Sequence, residues 1–394
     1  MHFQMGRAAA GALLALAATS VFSQTSRKPL PLDQLQVLAA AYQVLQDSLV
    51  YRPDDKALVV SAVKGMLKGA DPESGEYFDQ QEFDEFKRPP ERTGASGLEV
   101  RLRDGQFLLT PLENGPAAEA GVQFGDQLHA IDGARVKGLD LHMIVRQLSG
   151  AAGSKLTLTV FRERELKVLE FTIERKPYAP PGPALTVLPS GVALLRIPQF
   201  RERTLQEAST ALLDAWNRQP FRAVILDLRA SPGGLLDVAV GIASIFLPRD
   251  VTVARMTGAP ATSNFVYKSS KEFYLRHGGA DPLEALPVAL RELPVTVLVD
   301  GATASGAEIV ATALQDNRRA NVVGRTTFGR GSIQTITPLS IGAIKYTSAY
   351  WQSPNGHKIQ GAGVTPDTVV DDPWAASTVD AVARDLLSKK VAKP

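Results

Sequence analysis

Two loops in this 394-residue chain put small or hydroxyl-bearing residues where an apolar run gives way to a helical pattern. The first covers residues 227–235, Asp-Leu-Arg-Ala-Ser-Pro-Gly-Gly-Leu, with Gly233 and Gly234 paired at the helix start. Paired glycines there leave backbone N–H groups open to an anionic atom, and an ordinary strand-to-helix turn has the same spacing. The second covers residues 299–309, with Ser305 at the expected helix N-terminus, where a developing negative charge is favoured. Ser305 with Glu308 three residues on also has the spacing of a capping box, and by itself that structural reading fits best.

Other chemistries are excluded by composition. The chain has no cysteine, which rules out disulfides, thiolate catalysis and Cys-based metal sites. It has no His-x-x-x-His pair, no Gly-x-Ser-x-Gly elbow and no nucleotide phosphate loop, so no metal and no cofactor is expected. A formal net charge of +2 with 21% charged residues carries no signature of nucleic acid or a membrane surface as partner.

The two loops need a rigid frame. Apolar runs at 192–197, 223–228, 295–299 and 321–323 read as buried strands, and 205–217, 235–246 and 305–316 as helices. Strand and helix alternate, which predicts an α/β core with a largely parallel sheet over residues 177–373. Residues 257–292 read as irregular, and 374–387 as a terminal helix in a 374–394 tail.

Upstream the texture is different. Residues 91–176 carry strand patterns at 97–100, 107–110, 127–131, 155–161 and 169–173, a short helix at 117–120 and an amphipathic helix at 140–148. This predicts a β-rich, partly open barrel with two helices, and Asp132-Gly133 is its hairpin turn. Residues 24–90 read as an N-terminal helical region, with helices at 32–49 and 54–67 and a third segment, 81–87, stopped by Pro89-Pro90. A helical cap and an oligomerisation arm are both open readings of it. Residues 1–23 combine Arg7, an apolar run too short to span a membrane (~20 residues), and a small-residue cleavage site at Val21-Phe22-Ser23. They read as a signal peptide, making the mature chain an exported, periplasmic protein, with an uncleaved anchor as the alternative.

The series from Pro116-Ala117-Ala118-Glu119-Ala120-Gly121 through Gly125-Asp126 to Ile131-Asp132-Gly133 resembles a bacterial PDZ domain. That likeness implies a groove beside the strand from Leu98, with a peptide C-terminal carboxylate met by N–H groups at Ser96, Gly97 and Leu98. Related proteins often carry an arginine at the position of Ser149, and the difference puts any gating contact from there in question.

The two loops, together with Leu195-Arg196-Ile197-Pro198-Gln199-Phe200, Asp316-Asn317-Arg318-Arg319-Ala320, residues 327–335 and residues 359–367, resemble the C-terminal processing (tail-specific) serine proteases. By that resemblance Ser305 is the nucleophile, position 330 holds a lysine base, Gln334 orients the base, and N–H groups around Gly233 and Gly306 form the oxyanion hole. The serine and glutamine match, but position 330 is Arg330. A buried lysine can fall to a pKa of about 7–8 and act as a base, whereas guanidinium stays protonated in proteins. Lys345 and His357 are nearby in sequence, but a structural role fits the first and surface exposure the second. The resemblance implies partners that are proteins or peptides bound by their C-termini, an adaptor protein among the possibilities, and self-association through the N-terminal helices. Two functions follow: a serine-type processing endopeptidase, or a non-catalytic relative that binds through its PDZ groove.

Overall fold

The computed structural model describes residues 29–51, 53–87, 94–258, 264–275 and 279–388. The expected signal segment and Pro89-Pro90 lie outside them. The chain divides into two compact units, residues 1–54 and 55–394. The described element of the first is α1 (Leu32–Ser48), which opens after Pro31 and closes with the Leu49 N–H on the Leu45 carbonyl.

The second unit begins with α2 (Asp55–Ala70), β1 (Glu76–Phe78) and α3 (Gln80–Lys87). Lys68-Gly69 does not stop α2 at 67. The helix runs to Ala70 because Asp71 N–H still finds the Leu67 carbonyl at 2.8 Å. The region expected to be helical therefore also holds a strand. Tyr77 and Phe78 are fully buried, and β1 pairs antiparallel with a strand near the far end of the chain.

The β-rich domain with the PDZ resemblance follows as β2 (Leu98–Arg103), β3 (Gln106–Pro111), α4 (Pro116–Glu119), β4 (Gln127–Ile131), β5 (Ala134–Arg135), α5 (Leu141–Leu148), β6 (Lys155–Arg162) and β7 (Lys167–Glu174). Its sheet order is β2-β3-β4-β6-β7, with β5 on β4, so β2 is an edge strand. Alternation along β6 buries Leu156, Leu158 and Val160 against Ile144 and Leu148 of α5. Arg175 closes the C-terminus of α5 by donating to the Gln147 and Leu148 carbonyls, at 2.7 and 3.3 Å.

The core contains β8 (Ala184–Val187), β9 (Val192–Arg196), α6 (Thr204–Arg218), β10 (Ala223–Asp227), α7 (Leu236–Phe246), β11 (Thr252–Gly258), β12 (Phe265–Lys268), α8 (Lys271–Tyr274), α9 (Val288–Arg291), β13 (Val295–Val299), α10 (Gly306–Asp316), β14 (Ala320–Gly324), β15 (Ser332–Leu339), β16 (Gly342–Gln352), β17 (Thr368–Val369) and α11 (Ala376–Ser388). One sheet has the order β17-β14-β13-β10-β9-β8 and is parallel except at β8. Because β10 is covered on both faces, all of its residues are buried. Val224 and Leu226 pack with α7 and α10, while Ala223 and Ile225 pack against Val382, Ala383 and Leu386 of α11. A second, antiparallel sheet joins β1, β16, β11, β12 and β15. The stretch 257–292, read as irregular, thus holds strand β12 and the two short helices α8 and α9.

Candidate active site

β10 and β13 are parallel neighbours, so the loops at their carboxyl ends lie side by side. An aspartate bonds to both of them. Asp300 Oδ1 accepts the Ala230 N–H of the first loop at 2.9 Å and the Ala302 and Thr303 N–H groups of the second at 3.0 Å. Ala304 N–H donates to the Ser231 carbonyl at 2.9 Å. Both loops are under backbone strain: Ala230 has φ 51° and Ser305 has φ 53°, in the left-handed region.

Gly233 (φ 88°) fits where no side chain could. A Cβ there would lie 2.5 Å from Ala304 O and Gly306 N and 2.9 Å from Ser305 Cβ. Gly233 and Gly306 therefore flank Ser305, a half-buried residue at the N-cap of α10. Gly234 is equally tight, since its Cβ would meet Phe200 O at 2.1 Å. Beside it runs an open groove lined by Gln199, Phe200, Arg201, Glu202, Gly234 and Leu235.

Glu308 does more than cap. Its carboxylate is fully buried and accepts the Ser305 N–H at 2.8 Å, the Gly329 N–H at 2.7 Å, the Arg330 N–H at 2.9 Å and the Thr327 hydroxyl. Burial pushes its pKa up, against the pull of those donors. The loop 327–330 is thereby fastened to the start of α10, and Phe328 N–H adds a bond to the Thr303 carbonyl at 2.9 Å.

Arg330 is fastened to the site by its main chain. Its carbonyl accepts the Trp351 indole N–H at 3.0 Å, but its side chain is exposed. Among the described residues, its guanidinium has no hydrogen-bond or ion-pair partner. Gln334 donates to Ser332 Oγ at 3.2 Å and Thr347 Oγ1 at 3.0 Å, and not to Arg330, while its buried Oε1 has no partner. Lys345 is paired with Glu76, and His357 is exposed, as the sequence suggested.

Two arginines of the PDZ edge strand reach this loop without any signal in the sequence. The guanidinium of Arg101 stacks 4.2 Å over the Phe328 ring, and Arg103 lies 5.5 Å from it. Arg101 is buried, which lowers its pKa, as does the charge of Arg330.

On the PDZ side, Ser96 is buried and Gly97 has φ 69°. A Cβ on Gly97 would lie 2.8 Å from Pro116 Cδ, so only glycine allows the 112–116 turn to back this loop. Leu112 N–H donates to Gly97 O and Ala117 N–H to Ser96 O, at 2.8 and 2.9 Å. The free edge of β2 starts here and runs beside α5. At its far end Leu102, Leu139, Asp140 and Leu141 meet Lys64 and Leu67 of α2 in a small cavity. α5 is seated by His142, whose N–H donates to Glu76 Oε1 at 2.8 Å and whose Nε2 lies 3.1 Å from Glu82.

A PDZ domain inserted ahead of an α/β core, with a serine at a strained helix N-cap beside two glycines, defines the class of a PDZ-bearing serine peptidase. The sequence profile of peptidase family S41 matches residues 191–370, and that of the PDZ domain residues 109–162. The carboxy-terminal-processing protease of Bartonella bacilliformis is 34% identical over 346 residues, covering 86% of this chain and 76% of that protein. A probable CtpA-like serine protease of Staphylococcus epidermidis is 31% identical over 357 residues, and the match covers 86% of this chain but 66% of that relative's length. The solved photosystem II D1 C-terminal processing protease shares the fold, with a TM-score of 0.73 at 23% identity over 91% of this chain and 92% of its own. This chain belongs to peptidase family S41.

Proposed function

We propose that this chain is an exported processing-type serine peptidase that takes protein C-termini along the free edge of β2, and that Arg330 holds its turnover low. Ser305 Oγ attacks the peptide carbonyl, and the Gly233 and Gly306 N–H groups receive the oxyanion. The α10 N-terminus favours the same charge. The substrate chain runs along the groove beside Gly234. What is missing is the proton acceptor. Guanidinium has a pKa above ~12, so the Ser305 proton has nowhere to go, and the loss of a general base costs about 10²–10⁴-fold.

The exposed, unpartnered guanidinium of Arg330, set on a loop whose main chain is otherwise fully anchored, carries this reading. The buried Gln334 Oε1, left without a partner, supports it, as the orienting role implied for Gln334 calls for an acceptor. The export part rests on residues 1–23 alone.

The test uses the mature chain and an unstructured substrate with an apolar C-terminal tail. Wild type should cleave barely, Arg330→Lys should gain on the order of 10²-fold, and Ser305→Ala should abolish the gain. Strong wild-type cleavage lost in Ser305→Ala would overturn the role given to Arg330. Cleavage indifferent to Ser305→Ala would overturn the site. Tight tail binding without cleavage, even in Arg330→Lys, would make the chain a PDZ-based binding protein.

A further inference from the structure

Residues 371–374 form a strap across the carboxyl ends of β10 and β13. Arg229 Nη1 donates to the Pro373 carbonyl, and the Trp374 indole Nε1–H donates to Asp300 Oδ2 at 3.0 Å. The indole lies over two guanidinium groups, with Arg229 Cζ 4.4 Å and Arg196 Cζ 5.1 Å from the ring centroid. Those cations are fixed in turn. Asp227 binds Arg229 at 2.7 and 2.6 Å and Arg196 at 3.2 Å. Arg196 Nε also reaches Glu113 of the PDZ domain at 2.8 Å.

Resting on the role given above to Ser305, we propose that Trp374 is a positioning residue for the reaction. It holds Asp300, and Asp300 sets the Gly233 loop against the Ser305 loop.

The argument is one of donors. Asp300 Oδ1 alone accepts three N–H groups. That oxygen joins the main chains of both loops, and its position depends on the rotation of one carboxylate. The indole N–H on the other oxygen fixes that rotation, and the stacked arginines fix the indole. A mere anchor for α11 does not need this arrangement, because α11 already buries Val382, Ala383 and Leu386 against the sheet. Displacing catalytic groups by about 1 Å costs as much as 10²-fold in rate, so a loosened clamp reads out in kcat.

The test is Trp374→Phe, which keeps a ring over the arginines and removes the N–H. In the otherwise natural chain, amide hydrogen exchange at Ala230, Ala302 and Thr303 should quicken by about tenfold, with residues 382–386 unchanged. In the Arg330→Lys chain, kcat should fall about tenfold with KM unchanged. Unchanged exchange at Ala302 and Thr303 overturns the proposal, whatever the activity. So does quickened exchange with unchanged kcat in an active Arg330→Lys chain, or quickening confined to α11. An inactive Arg330→Lys chain counts against the role of Ser305, and the exchange result still decides whether Trp374 holds the clamp.

Discussion

Glu308 and Arg330 are bound to each other through the Arg330 main chain, N–H to Oε2 at 2.9 Å, and not through their opposite charges. The guanidinium is exposed, while the carboxylate is also bonded to Ser305, Thr327 and Gly329. The residue at 330 is thus held in place whatever its side chain is, and this is why a single Arg330→Lys exchange is a fair test.

The same geometry makes Glu308 the joint between two loops. Glu308→Gln replaces one acceptor oxygen by an N–H₂ that faces N–H donors. Stability should fall by roughly 2–4 kcal/mol, read as a lower urea midpoint at an unchanged slope. A loss below about 0.5 kcal/mol, within the range of ordinary surface changes, would mean that the carboxylate does not carry the joint.

Ala230 adopts φ 51°, a region that costs an L-residue roughly 1–2 kcal/mol. Ala230→Gly removes that cost and gives back about 0.5–1 kcal/mol in unfolded-state entropy. A small net rise in Tm is expected, with the N–H bond to Asp300 retained. A drop in Tm would show that the methyl group packs usefully.

Gly233→Ala should be far less forgiving. The added Cβ would overlap Ala304 O and Gly306 N, forcing the two loops apart. In an Arg330→Lys chain kcat should fall by about 10²–10³-fold, the cost of a lost oxyanion donor. Steady-state kinetics beside a thermal melt separates that effect from unfolding.

His142 and Glu76 predict a pH profile for the seating of α5. Burial raises the pKa of Glu76, but the bonds to His142 and Lys345 win and bring it down to about 2. A depressed acid contributes stability above its unfolded value of 4.5, and this is lost as pH falls toward 2. Burial lowers the pKa of His142, but the carboxylates of Glu76 and Glu82 outweigh it and raise the net value. A raised histidine contributes fully below its unfolded 6.5, and loses that contribution as pH rises through the folded value. Tm should therefore be highest between about 4.5 and 6.5 on account of this pair, and His142→Gln should flatten the alkaline side. An alkaline limb unchanged in His142→Gln would remove the histidine from the account.

Much of this was legible in the sequence. The alternation of apolar runs gave the parallel sheet, because strands buried on both faces read as continuous hydrophobic stretches. Ser305 and Glu308 were visible as a capping pair. The rest of what Glu308 does was not, because its other partners lie 19 to 22 residues away, beyond β14. The contacts of Arg101 with Phe328, of Asp300 with Ala230 and of Trp374 with Asp300 join segments far apart in the chain, so no local pattern announces them. β1 escaped notice because three residues show no period, and β12 because it follows a short stretch of mixed polarity.

The pairing of β1 with β16 has a consequence for synthesis. Glu76 and its partner Lys345 are 269 residues apart in the chain. At roughly 5–20 residues per second, β1 emerges from the ribosome some 15 s to a minute before the strand that completes it. The PDZ domain is fully translated in that interval, while Tyr77 and Phe78 have no sheet to enter. A long-range contact of this kind closes late. Tyr77 and Phe78 therefore wait for almost the whole chain, and its last strands complete its first.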